Sequence, residues 1–379
     1  MHPMLKPALR RAWRDRQTVQ FGITPAQAVV VSPVDPATGH FLELLDGTQG
    51  LPILYERARA LNMGPGQVDE LVQRLAAAGV VDDATVGGVT ADALRNRAGT
   101  LERLRPDLAS LSLIHPEPGA AAGRLAARRA MRVQVRGAGR VGATVAALLA
   151  GAGVGQVDVL DGGVVRPGDV TPGGLPERSV GERRSTAARH LVRQAAPGGP
   201  PRQGRDPDTG PPAFSLIVVA PREGLDVYAP NTADAEDWVR AGIPHLYTGV
   251  VETTGVVGPL VLPGGTGCAG CLSLARTERD PGWPRLLAQW RSGRQRTAVP
   301  ACDLALATAV AGLAAGHALA FLDGDLPASV GSRWEASLPQ LDWRSQSVGP
   351  HRDCFCGAVG NTRGEQVSGA SGPQDTMAG

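Results

Sequence analysis

Between Thr18 and Asp83 the apolar positions change period. The runs TVQFG (18–22) and AVVVSPV (28–34) read as short strands. Helices are expected over Phe41–Leu45 and Leu51–Leu61, and again from Gln67, where Val68, Leu71, Val72, Leu75 and Ala76 recur at helical spacing. Gly64 and Pro65 punctuate the start of that last helix, Gly79 ends it, and the apolar VVDDA closes the segment as a strand. Two strands and three short helices closing in a strand predict a small winged-helix-like α+β module over residues 1–90. A connector follows to residue 130; it carries an Ala- and Arg-rich helix toward its end, with Pro106, Pro116 and Pro118 as interruptions.

From Arg132 to about Asp325, strand-like and helix-like runs alternate. They are MRVQVRG, a helix through Leu149, QVDVLDG, a helix over Glu182–Gln194, FSLIVVA, a helix over Asp234–Ala241, HLYTGVV, VVGPLVLPG and a long apolar helix over Leu304–Leu322. This alternation predicts an α/β domain, Rossmann-like, spanning 131–357, with a parallel-type sheet covered on both faces. The tail, 358–379, is rich in Gly, Ser, Gln and Asp and reads as disordered.

Charge narrows the chemistry. The formal net charge is only +2, so no overall field draws the chain to nucleic acid or to a membrane surface. Arg10, Arg11, Arg14 and Arg16 read as a solvated face. Lys6 is the only lysine, which excludes a Walker-type phosphate loop and leaves phosphate contacts to arginine and backbone amides. The basic amino terminus lacks a signal-peptide core, and no run reads as the roughly 18 apolar residues of a membrane span, so a cytoplasmic protein is expected.

Gly137, Gly139 and Gly142 form a G-x-G-x-x-G turn, with Arg140 inside it, between a strand and an alanine-rich helix. Glycine at these places permits a tight turn, close approach of a phosphate, and close helix–strand packing, while the helix start offers free N–H groups to an anion. Asp161 ends the next strand at the spacing where an acid meets a ribose hydroxyl. The loop alone does not separate ATP from a nicotinamide or flavin cofactor. His190, His245 and His317 show no supporting dehydrogenase motif, and His317 is expected to be packed inside its helix.

Four of the five cysteines fall in two pairs, Cys268/Cys271 (C-x-x-C) and Cys354/Cys356 (C-x-C). Two distant pairs suit a closed tetrahedral zinc site that holds structure, with His351 as an alternative fourth ligand. An unmetallated or redox pairing is the competing account. Cys302, at the start of the long helix, is either a small packed residue or a nucleophile activated by the helix terminus.

Taken together, the glycine loop, Asp161, the stretch IPHLYTGVVETTGVVGPLVLPGGTGCAGC, the long helix ALATAVAGLAAGHALAFLDG and the second cysteine pair resemble the ThiF/MoeB/ubiquitin-activating-enzyme superfamily over roughly Arg132–Gly357. The resemblance implies ATP with Mg2+, structural Zn2+, a homodimer, and adenylation of the carboxy terminus of a small carrier protein or peptide. It places Gly137, Gly139, Arg140 and Gly142 at the phosphates, Asp161 at the ribose, and Arg184 where the family has a lysine. Cys302 would be a displaced nucleophile. Three departures accompany it. The family's Asn/Arg stretch reads TPGGLPER, with Arg178 an approximate match; its magnesium-holding aspartate is absent from APREG, where Glu223 is the nearest acid; and Gln295 stands at the reactive-cysteine position.

The run from QFGITPAQAVVVSPVD to LVQRLAAAGVVDDA resembles the leader-peptide-recognition domains of cyclodehydratase partner proteins, which bind a peptide as an added strand. Two functions follow. One is ATP-dependent adenylyl transfer to a peptide or carrier; the other is non-catalytic binding of a precursor leader peptide for a cyclodehydratase in ribosomal peptide natural-product biosynthesis.

Overall fold

The computed structural model describes residues 1–85, 98–198, 213–292 and 300–360. Internal contacts divide the chain into two compact units, one of residues 1–134, 145–214 and 319–325 and one of 135–144, 215–318 and 326–379.

The first unit begins with strands β1 (Pro3–Leu5), β2 (Arg11–Trp13), β3 (Val19–Phe21), β4 (Val29–Val31) and β5 (Val81–Asp83), and helices α1 (Pro36–Glu43), α2 (Leu51–Ala60) and α3 (Pro65–Ala77). β2, β3 and β4 form an antiparallel sheet, and β1 pairs antiparallel with β5. Val19, Phe21, Phe41, Leu42, Leu54 and Leu75 lie in one core. Helix starts follow local chemistry: Asp35 accepts the Thr38 N–H at 2.7 Å with Pro36 in the first turn, and Gln67 accepts the Gly64 N–H at 2.8 Å. β1 and β2 carry no alternation of their own and exist through their partners, which is why the apolar pattern passed over them. Lys6 is buried, and its ammonium donates to the carbonyls of Ser112 (2.6 Å) and Pro116 (3.0 Å). Burial lowers its pKa against the opposing fields of Asp82 and Glu117.

Helices α4 (Ala98–Ile114) and α5 (Ala120–Ala130) follow. Pro106 lies inside α4 and does not interrupt it. A proline there loses one helix hydrogen bond, and the packing of Leu104 and Leu111 against Leu125 and Ala126 holds the helix through it. Pro116 and Pro118 do separate the two helices.

The remaining elements are β6 (Arg132–Arg136), α6 (Arg140–Gly151), β7 (Gln156–Leu160), α7 (Arg184–Ala195), β8 (Leu216–Val219), α8 (Gly224–Tyr228), α9 (Thr232–Arg240), β9 (His245–Val251), β10 (Thr254–Val261), α10 (Ala269–Arg279), α11 (Trp283–Arg291), α12 (Leu304–Leu322), β11 (Ser332–Ser337) and β12 (Arg344–Ser347). One seven-stranded sheet has the order β12-β11-β10-β9-β8-β6-β7, and the unit boundary falls within β6. The sheet is mixed and not of parallel type throughout. β8 and β9 are parallel, but β9, β10, β11 and β12 pair antiparallel in sequence. Only Glu252 and Thr253 separate β9 from β10, Glu252 with φ 54°, and so short a turn permits only an antiparallel return.

α12 corrects a second expectation: with 19 residues and a mean hydropathy of 1.8, it has the length and apolarity of a membrane span. Its buried positions Leu306, Ala307, Val310, Ala311, Ala314, Ala315 and Ala318 repeat every three to four residues, and Leu306 and Val310 lie where Gly255 of β10 leaves room. It packs through one face, as a core helix does. Residues 361–379 of the expected tail lie outside the described residues.

Within the first unit, the Arg128 guanidinium forms a two-pronged ion pair with Asp323 (Nε–Oδ1 2.6 Å, with Nη2 on Oδ2), and both residues are buried. Truncating Arg128 strands a buried carboxylate, so Arg128→Ala is expected to lower stability by about 3–5 kcal/mol in urea unfolding. A loss below about 1 kcal/mol would mean that the pair behaves as an exposed one.

Candidate functional site

β6 ends in a loop whose glycines are set by contact. Gly137 has φ +106°, and a Cβ there would lie 2.0 Å from the Ala220 carbonyl oxygen at the end of β8. A Cβ on Gly142 would lie 2.2 Å from the Gly137 oxygen. These two glycines therefore let backbone meet backbone. Gly139 is different: the atoms nearest an added Cβ are those of Arg222, at 3.3–3.5 Å. It is the position where a ligand can approach the loop, beside the first turn of α6 and its free N–H groups. Arg222, which follows β8, thus belongs to this site. Sequence reasoning had passed over it in APREG while looking for an acid.

Arg140 opens α6, and its Nη1 donates to the Cys302 carbonyl at 2.6 Å, tying that residue to the glycine loop. Cys302 is partly exposed and precedes the helix; Asp303 caps α12, its Oδ1 accepting the Leu306 N–H at 3.0 Å. Glu223 is exposed. Among the described residues, the sets of three or more metal-ligating side chains are the four cysteines and Glu278–His351–Asp353. Neither set includes a residue of the glycine loop or of 220–223.

In the first unit, Asp161 follows β7. Its Oδ1 accepts from the Gly163 N–H at 2.8 Å and from Arg184 Nε at 2.9 Å. Arg184, the first residue of α7, also donates to the Val164 carbonyl (2.9 Å) and lies 3.5 Å from Asp169 Oδ2. One guanidinium is thus held by two carboxylates, with its side chain 13% exposed. Gly163 makes this possible, since a Cβ there would lie 2.1 Å from Arg184 Nη2. Arg178 is exposed and reaches Gln194 at 3.3 Å. Gln295 lies outside the described residues.

The four cysteines converge in the second unit. Cys268 Sγ is 3.5 Å from Cys354 Sγ and 3.9 Å from Cys271 Sγ, and Cys271 Sγ is 3.5 Å from Cys356 Sγ. Tetrahedral zinc with Zn–S near 2.3 Å requires S···S separations of about 3.8 Å, so the donor set fits zinc. Gly270 leaves the necessary gap, because a Cβ there would lie 2.9 Å from Cys354 Sγ. Hydrogen bonds from the Cys268 thiol and from backbone N–H groups, His351 among them, hold the Cys271 thiol down to about 4, whereas burial pushes Cys354 up to about 11. The His351 ring pairs with Glu278 at 3.0 Å, while the fourth place beside the sulfurs is filled by a thiol. The cluster closes the start of α10 onto residues 354–356, and no sulfur is left for chemistry.

The ThiF family model matches residues 112–202 and 227–358. Among solved structures, the fold is similar to E. coli MccB with ATP (16% identity, TM-score 0.66, covering 93% of this chain and 99% of that one). It is also similar to the microcin C7 biosynthetic enzyme MccB in complex with N-formylated MccA (17%, 0.66, 94% and 99%) and to PaaA (18%, 0.65, 91% and 100%). Among curated proteins, none matches the sequence.

The purified chain is expected to carry one zinc per polypeptide by atomic emission. Cys271→Ser and Cys356→Ser should each lose it and lower the melting temperature, because such sites contribute on the order of 10 kcal/mol to folding. Unchanged melting of metal-free protein would count against a structural metal.

Proposed function

Because the chain belongs to the ThiF family, we propose that it activates a carboxylate of a peptide or small carrier protein by adenylation with ATP. One observation carries the reading: a glycine loop held by backbone contact at Gly137 and Gly142, open at Gly139, and flanked by Arg140 and Arg222. In the reaction, a carboxylate oxygen bonds to the α-phosphorus of ATP while the bond to the β-phosphate oxygen breaks, and pyrophosphate leaves. Loop amides and the α6 terminus receive the phosphate oxygens, and Arg222 adds positive charge beside Gly139. A fold similar to one solved with ATP and with a peptide supports both ligands. Magnesium, which the family resemblance implies, would be held by one or two carboxylates together with the ATP phosphates. Arg184 acts as a positioning residue that holds Asp161 and the 163–169 segment, and Asp161 orders the turn after β7. Cys302, tethered by Arg140, is the candidate for receiving an acyl group. The four reduced thiols suit a cytoplasmic setting and Zn2+.

The first 85 residues supply a peptide-binding edge. In β2, the Arg14 N–H bonds to Thr18 and the Arg10 carbonyl to Gly22, so in an antiparallel ladder the N–H and C=O groups of Arg11 and Trp13 face away from β3. Beside this edge lies a groove of about 650 Å3 lined by Trp13, Asp35, Gly39, His40 and Glu43. A peptide can add there as a strand. The second reading, a non-catalytic leader-peptide carrier for a cyclodehydratase, is favoured by one observation: both carboxylates that hold Arg184 neutralise its charge.

The dimer rests on α12. Ala305, Thr308, Ala309, Gly312 and Gly316 form an exposed face of small residues, and a Cβ at either glycine would meet nothing within 4 Å. A second copy is proposed to cover it.

Two outcomes are expected. ATP–pyrophosphate exchange with the cognate peptide should be found and should fall at least about a hundredfold in Gly139→Val, a loss the size of removing one oxyanion donor. Arg11→Pro, which deletes an outward N–H that an edge strand tolerates losing, should weaken peptide binding about tenfold with unchanged melting. Peptide binding without exchange would favour the carrier reading. Gly316→Leu should convert a dimer to a monomer in light scattering without loss of fold, and an unchanged mass would exclude this face.

A further inference from the structure

Away from the glycine loop and the cysteines, cations and aromatic rings gather around Tyr228, the last residue of α8. The Arg276 guanidinium of α10 lies 4.1 Å from the Tyr228 ring centroid and 5.1 Å from that of Trp283. Arg333 of β11 lies 4.4 Å from the same tyrosine ring. Both donate through Nη1 to the Tyr228 carbonyl, at 2.5 and 2.9 Å. Arg291 donates to the next carbonyl, that of Ala229, at 2.7 Å.

The local charges do not balance. Glu335 contacts Arg333 Nε at 2.5 Å, and among the described residues Arg276 makes no ion pair. Arg333 is 1% exposed, yet its Nη2 is buried with no hydrogen-bond partner. A buried guanidinium donor without an acceptor is costly, and here it stands beside an unmatched positive charge. We propose that the Arg276–Arg333–Tyr228 cluster is a binding site for a carboxylate.

Charge and shape both favour that class. Around Tyr228, Arg276, Arg333 and Arg291 gather with Glu335 as the contacting carboxylate, so the site carries net positive charge that an anion offsets. Planar guanidinium donors match the two coplanar oxygens of a carboxylate. Arg276, stacked on the rings of Tyr228 and Trp283, is half-buried and forms the entrance, whereas Arg333 lies beneath. Burial and the nearby Arg333 hold the Arg276 pKa down to about 10, so the cation is present at neutral pH and gains from an anion. Tyr228 is six residues beyond Arg222, so chain geometry keeps it within about 20 Å of that residue. If the chain adenylates a peptide, as proposed above, an acidic side chain a few residues from the activated carboxylate is the natural occupant, and this identification rests on that reading. The binding itself is measured without ATP.

Trp283 packs edge-on against Tyr228 at 6.1 Å, which makes its fluorescence the reporter. The full-length, zinc-loaded chain is titrated with sodium glutarate, with neutral glutaramide, and with sodium phosphate, all at matched ionic strength. Expected is a saturable change with glutarate alone. It should disappear in Trp283→Phe and weaken at least tenfold in Arg276→Gln. Arg276→Lys, which keeps the charge without the planar fork and is compared at unchanged melting temperature, should weaken it at least fivefold. An equal response to glutaramide, preferential binding of phosphate, or unchanged affinity in Arg276→Lys would overturn the proposal. None of these results depends on whether pyrophosphate exchange occurs.

Discussion

The second unit depends on one steric constraint, the contact of the Gly137 backbone with the Ala220 carbonyl. No side chain fits between them, so the end of β6 is pressed against the end of β8, and α6 must begin where the loop releases it. Gly142 repeats the constraint one turn later. Arg140 then reaches the Cys302 carbonyl and Arg222 comes beside Gly139. The arrangement of charge around the loop follows from two places where atoms cannot be added.

Arginine carries nearly all the cationic chemistry of this chain, and its size shapes the structure around it. A guanidinium is broad and planar, so it needs both room and several acceptors. Gly163 provides the room for Arg184, and Asp161, Asp169 and Val164 provide the acceptors. Arg276 and Arg333 share one carbonyl and one ring, with Glu335 beside Arg333 and Trp283 beside Arg276. A lysine has neither demand, and the single lysine has the opposite role: Lys6 is buried between two carbonyls and fastens β1 to the end of α4.

The cysteine cluster makes a comparable closure with different chemistry. Four sulfurs 3.5–3.9 Å apart along three edges cannot all be thiolates without a cation between them. Zinc bound there would couple metal to fold, and the start of α10, which carries Arg276, lies at Cys268 and Cys271. Arg276 thereby inherits its position from the cysteine cluster.

Much was legible in the sequence because it rests on local pattern. The alternation of strands and helices, the glycine triplet, the cysteine pairs and the α12 boundaries are all properties of neighbouring residues. So is the identity of the donors, since four thiols suit zinc wherever they meet. The rest was decided only by the folded chain, because it depends on residues far apart in sequence. The antiparallel half of the sheet is set by strand pairing, and Pro106 survives inside a helix through the leucines packed against it. Whether Arg184 has free charge depends on two aspartates that precede it by 15 and 23 residues. Arg222 could be assigned to the loop only when β8 was seen to end there, and the arginines around Tyr228 of α8 come from α10, α11 and β11. Spacing fixes which groups a chain possesses; distance and burial, which tertiary packing alone sets, decide which of them are paired and which retain binding capacity.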